Sequence, residues 1–231
     1  MRNKLLAGLL AASACAGAAA DPGYYLVTPY SQPGQAALDM RLWTVTMHGH
    51  TTMWPEAGVR YGVNSYWTTE LLASFIGPKL SEQSLSSWNW QNLVLLTQGQ
   101  YPFDVGVHLQ LIHSTDDGNV LEWGPVFQTE VGQWQLNGNL IFEHEFADTG
   151  KANLKYQWQA LYRLAPGWRA GMVGFGELGT WNHWSDQPSH RAGPTLRVGL
   201  GEKVELQAGY LFGKVYGQKA RMFTADLVIP F

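Results

Sequence analysis

Three short groups of side chains have the residue types that chemistry requires. His113-Ser114-Thr115-Asp116-Asp117-Gly118-Asn119 sets histidine, serine and aspartate within one stretch. A hydrolytic site needs its base within hydrogen-bond reach of the nucleophile. Adjacent residues on a strand point to opposite faces, so His113 and Ser114 diverge. The stretch reads better as a turn built on Asp117-Gly118-Asn119. His48-Gly49-His50, with Met53 beyond, places two imidazoles on one strand face, which suits Zn or Cu. A metal site wants three or four converging ligands. His48 and His50 do not supply them in sequence; neither does His144 between Glu143 and Glu145, nor the pair His183 and His190. The two histidines stand as weak metal candidates, and no cofactor is expected. Trp181-Asn182-His183-Trp184 could stack on a sugar or a protein, but an interfacial anchor is the preferred reading.

A fourth group is dispersed and larger. Charged and amide residues recur at alternate positions: Asp39 and Arg41, Glu56 and Arg60, Glu70, Asp104, His108 and Gln110, Gln128 and Glu130, Gln135 to Asn139, Lys155 to Gln159, Arg163, Arg169, Glu177, Arg191, Arg197, Glu205 and Gln207. Both signs occur in similar numbers. Such a set fits a narrow hydrated interior closed by ion pairs and amide contacts. The lining residues chosen from it are Asp39, Arg41, Arg60, Glu70, Asp104, His108, Glu130, Lys155, Arg169, Glu177, Arg197 and Glu205.

The elements that position them have period two. In Phe103 to Leu111 the odd positions are apolar and the even ones polar or small. Trp134 to Phe142 and Leu154 to Tyr162 repeat the pattern, with Gln and Asn on the second face. A soluble sandwich would cover its outer face with Lys and Glu; amides suit a confined lumen. Charged residues are only 14% and aromatics 13% of the 231 residues, against a usual charged quarter. After residue 20 no apolar run is long enough for a spanning helix. The net charge of −3 argues against nucleic acid.

Twelve strands are expected, near 37–47, 54–63, 66–76, 88–98, 102–113, 120–131, 133–143, 153–163, 167–178, 191–200, 203–212 and 221–231, with ten as the alternative count. The fourth alternates worst, because Leu93 and Leu95 fall out of phase with Trp88 and Trp90; a bulge would restore it. Tight turns such as Val63-Asn64-Ser65 and Ala165-Pro166-Gly167 alternate with longer links at 48–53, 77–87, 114–119, 144–152, 179–190 and 213–220. Aromatics follow several tight turns: Tyr66-Trp67, Tyr101, Trp134 and Trp168. Short turns on one side, longer loops on the other and an aromatic girdle predict a transmembrane antiparallel up-and-down β-barrel with turns and both termini in the periplasm.

The ends supply the address. Residues 1–20 read as a cleaved signal peptide, with Arg2 and Lys4, an apolar stretch from Leu5 to Ala14, and Ala18-Ala19-Ala20. A lipid-anchored Cys15 ranks second. Cys15 is the only cysteine, so no disulfide framework follows. Residues 21–36, rich in Pro and Tyr, would dock at the periplasmic rim or enter the barrel as a plug. Residues 37–231 form the barrel. They end in Ala225, Leu227, Ile229 and Phe231 on one face, with Pro230 at the penultimate position. Here the sequence resembles bacterial outer-membrane β-barrel proteins, porin-like, as a class. The resemblance implies that Phe231 is a signal for the barrel-assembly machinery, that outer-membrane lipid is a partner, and that the location is the bacterial outer membrane. The expected function is a narrow porin-like channel for small solutes, or a structural barrel. The alternatives are an outer-membrane enzyme acting on lipid or peptide and a surface-loop binding protein; no enzymatic activity is the favoured reading.

Overall fold

The computed structural model describes residues 24–115, 118–147, 151–201 and 204–231. The signal-peptide and Cys15 readings lie outside them, as do Asp116 and Asp117. Twelve strands hydrogen-bond in sequence order and close on themselves. They are β1 (Ala36–Met47), β2 (His50–Gly62), β3 (Trp67–Lys79), β4 (Glu82–Leu95), β5 (Phe103–Ser114), β6 (Gly118–Val131), β7 (Trp134–Glu145), β8 (Asn153–Ala165), β9 (Trp168–Thr180), β10 (His183–Leu200), β11 (Val204–Val215) and β12 (Gln218–Pro230). The seam is antiparallel pairing of β1 with β12, from Ala37 opposite Pro230 to Thr46 opposite Arg221. The Phe231 N–H extends it by donating to the Ala36 carbonyl at 3.0 Å. We call the end where β1 starts and β12 stops the base.

Alternation divides each strand between two environments. On β1, Asp39, Arg41, Trp43 and Val45 are buried inside while Leu38 and Met40 are exposed outside. Leu71, Trp88, Trp90, Leu109, Leu111, Leu140 and Phe212 are likewise exposed on the outer face. An outer face of this kind is compatible with hydrocarbon, because closing the sheet leaves no open strand edge. Two outward glycines are covered by aromatic rings of β8: Trp158 lies over Gly174 and Tyr156 over Gly176.

Two expectations are corrected. The far-end links are not longer loops. The residues at 50–53, 77–79, 82–87, 183–190 and 213–215 are strand, joined by turns as short as His48-Gly49 and Tyr216-Gly217. His48 and Tyr216 hold positive φ of 51° and 45°, each followed by a glycine also at positive φ, the geometry of a tight hairpin. The longest links, 96–102 and 146–152, lie one at each end. Polar stretches read as loops because beyond the apolar band a strand has no greasy face to mark it, yet its ladder continues.

The fourth strand also behaves otherwise. Its irregularity falls at Ser86, since Ser74 faces Ser87 and Phe75 faces Leu85. Beyond it β4 keeps phase: Asn89, Gln91, Leu93 and Leu95 share the inner parity and all are buried. Leu93 and Leu95 are an apolar patch inside the barrel, packed with Val126 and Val27.

Candidate functional site: an occupied lumen

The bore is filled by the chain itself. Residues 24–27 lie among inward side chains from both sides of the barrel. The Tyr24 ring packs edge-on against Trp43 at 4.6 Å and Phe175 at 6.1 Å between centroids. Its hydroxyl donates to Glu177, and the Arg191 guanidinium lies 4.1 Å above the ring. Glu177 is shared further: Arg191 pairs with it at 2.9 Å and the Tyr216 hydroxyl donates to it at 2.8 Å. Burial, and then the Glu177 charge, push the Tyr216 phenol up, so it remains a neutral donor.

Tyr25 and Val27 meet a different wall. The Tyr25 hydroxyl lies 2.6 Å from both the Gln91 and the Gln110 side-chain oxygens. A phenol has one proton, so it donates to one amide while the other, turned over, donates back. The Arg41 guanidinium caps the Tyr25 ring at 3.9 Å. The Val27 N–H donates to Gln157 Oε1 at 3.2 Å, and Asn139 Nδ2 donates to the Val27 carbonyl at 2.7 Å. Asn139 also donates to Gln157 at 2.8 Å, which fixes both amides. From Val27 the chain runs to the base. Ser31 Oγ donates to the Asn64 carbonyl at 2.7 Å and the Gly34 N–H to the Gly62 carbonyl at 2.7 Å before β1 begins.

Charged residues of the wall form separate networks. Asp39, Arg41, Arg60 and Glu70 come together: Arg41 pairs with Asp39 at 2.9 Å and Glu70 at 2.8 Å, and Arg60 with Asp39 and, at 3.6 Å, with Glu70. Glu56 joins at 3.8 Å from Arg41, and the same Glu56 accepts from Ser74 at 2.5 Å. Asp226 stands directly across the seam from Arg41. Lys155 pairs with Glu122 at 2.8 Å and with Glu143, while His108 lies 3.9 Å from Glu122. At the base, Glu130 accepts from Arg169 at 2.9 Å and Arg163 at 3.4 Å. Arg197 bonds Gln207 at 2.9 Å and lies 3.4 Å from Glu205. Asp104 is separate from these, holding the Gly99 N–H at 2.9 Å and Thr97 at 3.3 Å.

Between the inner segment and the base a cavity of about 460 Å³ is lined by Arg60, Glu70, Gln128, Gln135, Arg197, Glu205, Gln207 and Asp226, among others.

The smaller sequence candidates do not assemble. His113 points outward and meets Asn119 at 2.8 Å, while Ser114 is buried inside. His48 forms the first far-end turn and His50 opens β2 opposite Met47. Among the described residues no three of His, Cys, Asp and Glu stand close enough to hold a metal ion. Sequence reasoning missed the apolar wall of Trp43, Val173, Phe175, Leu211 and Met222, and three acids, Glu122, Glu143 and Asp226. Parity alone would have found Asp226, which lies opposite in phase to Ala225 and Leu227.

No protein-family model matches the sequence, and neither does any curated protein. Solved structures do match in fold. An outer-membrane channel from Pseudomonas putida F1 superimposes with a TM-score of 0.64 at 13% identity, over 91% of this chain and 99% of that one. The NanC porin gives 0.63 at 8% identity, over 83% and 98%. The KdgM porin in complex with disordered oligogalacturonate gives 0.60 at 7%, over 84% and 99%. The shared feature is the barrel; no residue carries over at these identities.

Proposed function

We propose that this chain is a bacterial outer-membrane channel for small solutes, exported by a signal peptide, with its base in the periplasm and its bore closed at mid-height by residues 24–27. The observation behind it is the filling of the lumen. Twelve strands enclose more space than an eight-stranded barrel, whose own side chains suffice, and here the remainder is taken by an extended segment from the chain's own beginning. That segment is bound through side chains and two backbone groups rather than as a thirteenth strand, so it can leave without opening the sheet. The resemblance to barrels described as channels and porins points the same way.

The lining suggests the solutes. Asp39, Glu56, Glu70 and Asp226 surround only Arg41 and Arg60, and Glu122 and Glu143 share Lys155. Such a bore favours cations and neutral molecules over a polyanion such as the oligogalacturonate of the KdgM complex. An enzymatic reading has no support in the position of His113.

Planar-bilayer recording tests the channel. The full chain is expected to show rare, small openings, and deletion of residues 24–34 to give sustained openings of several-fold larger conductance. Unchanged conductance, with unchanged thermal stability, would remove the segment from any gating role; no conductance from either protein would leave the structural barrel.

A further inference from the structure

Most charges inside the barrel stand in ion pairs; one cationic group outside does not. Lys214 on β11 and Lys219 and Arg221 on β12 have the outward parity of Tyr210, Phe212 and Phe223, and all three are exposed. Lys214 stands directly opposite Lys219, and Arg221 opposite Phe212. Two like charges in that relation repel and weaken the pair. Among the described residues none of the three has a carboxylate within 4.0 Å, whereas the exposed Lys79 of the β3–β4 hairpin is paired with Glu82 at 3.0 Å. His190 extends the row on β10, directly opposite Lys214, with the Tyr156 hydroxyl 2.6 Å from its Nδ1.

The height of this group is set by the strand. Below Arg221 the outward residues of β12 are Phe223, Ala225, Leu227 and Ile229, and Phe231 follows. From Arg221 to Phe231 the chain advances about 33 Å at roughly 3.3 Å per residue. A tilt near 40° turns this into about 25 Å of height, the thickness of the apolar band of such barrels. Arg221 therefore falls at the upper edge of the hydrocarbon and Lys219 above it, the level of headgroup phosphates.

We propose that the outward face of the β11–β12 hairpin binds the phosphate of an outer-leaflet lipid headgroup. The cations neutralise the phosphate, which removes their mutual repulsion, while Phe212 and Phe223 flank the upper part of the acyl chains. The inference rests on the membrane-spanning reading above.

Native mass spectrometry of the refolded barrel in detergent tests it, with bis-phosphorylated lipid A, its dephosphorylated form and inorganic phosphate as probes. One phosphorylated lipid per barrel should be retained at least tenfold more tightly than the dephosphorylated form. A triple variant, Lys214→Gln with Lys219→Gln and Arg221→Gln, should lose that preference while keeping the heat-modifiable migration of a folded barrel. Inorganic phosphate at equal concentration should not compete. Equal retention of the two lipids by the wild type overturns the site without recourse to any variant, as does an unchanged preference in the triple variant. Competition by inorganic phosphate would assign the group to a soluble anion and overturn the lipid. Insertion into phosphatidylcholine vesicles is scored in parallel. A barrel that inserts without preferring phosphate overturns only this site, and one that does not insert overturns the spanning reading and the site with it.

Discussion

Tyr24 and Val27 are close neighbours in sequence, yet the walls that receive them differ in kind. The wall of β9, β10, β11, β12 and β1 offers Tyr24 a hydrophobic slot beside an ion pair, Arg191 with Glu177, that is made between the strands themselves. The wall of β4, β5, β7 and β8 offers amides, Gln91, Gln110, Asn139 and Gln157, whose hydrogen bonds include the peptide groups of Val27 and the phenol of Tyr25. The first wall would persist if the segment left; the second would need water in its place. Tyr24 therefore contributes holding energy, through buried area and ring contacts, and the amides contribute position.

The largest disturbance strikes both walls at once. Arg41 caps Tyr25 and pairs with Asp39, Glu56 and Glu70. Removing one partner of a buried ion network costs about 3–5 kcal/mol; here Glu56 would lose its cation and Asp39 and Glu70 would share Arg60 alone. Arg41→Ala is expected to lower the urea midpoint of the refolded barrel by a margin of that order and to raise channel opening. An unchanged midpoint would mean that water already screens the network.

Next come substitutions that separate the walls. Tyr24→Ala removes an aromatic side chain packed on Trp43 and Phe175, a loss of about 3 kcal/mol in docking by analogy with buried aromatics. The open fraction should rise on the order of a hundredfold. Asn139→Ala takes away the donor to the Val27 carbonyl and should cost about 1 kcal/mol, raising opening roughly fivefold. Equal effects of the two would erase the distinction between a holding wall and a positioning wall.

How much of this could be read from residue order follows from the same contrast. The amide wall was legible, because Gln135, Asn137, Asn139, Gln157 and Gln159 alternate strictly with apolar residues and period two is a local signal. The holding wall was not. Trp43, Phe175 and Met222 sit at inner positions, but an apolar residue inside looks the same in sequence as a break in phase, as Leu93 and Leu95 illustrate. Their burial depends on Tyr24 and Val27, which are distant in sequence. The far-end hairpins were hidden for another reason: beyond the apolar band a strand has no apolar face to mark it, and only short turn signals such as His48-Gly49 and Tyr216-Gly217 record the reversals.

The smallest expected effect concerns what passes once both walls are free. With the segment removed, permeant ions meet Asp39, Glu56, Glu70 and Asp226 around two arginines, so the local potential is negative. Asp226 and Glu70 are the carboxyls most open to this test, because Asp226 Oδ1 and Glu70 Oε1 each have no hydrogen-bond partner among the described residues. A chain lacking residues 24–34, placed in a potassium chloride gradient, should give a reversal potential of the sign that marks cation preference, by a modest ratio. At about pH 9.5, where the carboxyls are ionised, Asp226→Asn removes one carboxylate charge without changing shape and should move that potential toward zero. Lys155→Gln, which unbalances the distinct network of Glu122 and Glu143, should move it the other way. A preference for chloride in the truncated chain would show that the arginines, not the carboxylates, face the ion path, and would reverse the assignment of solutes.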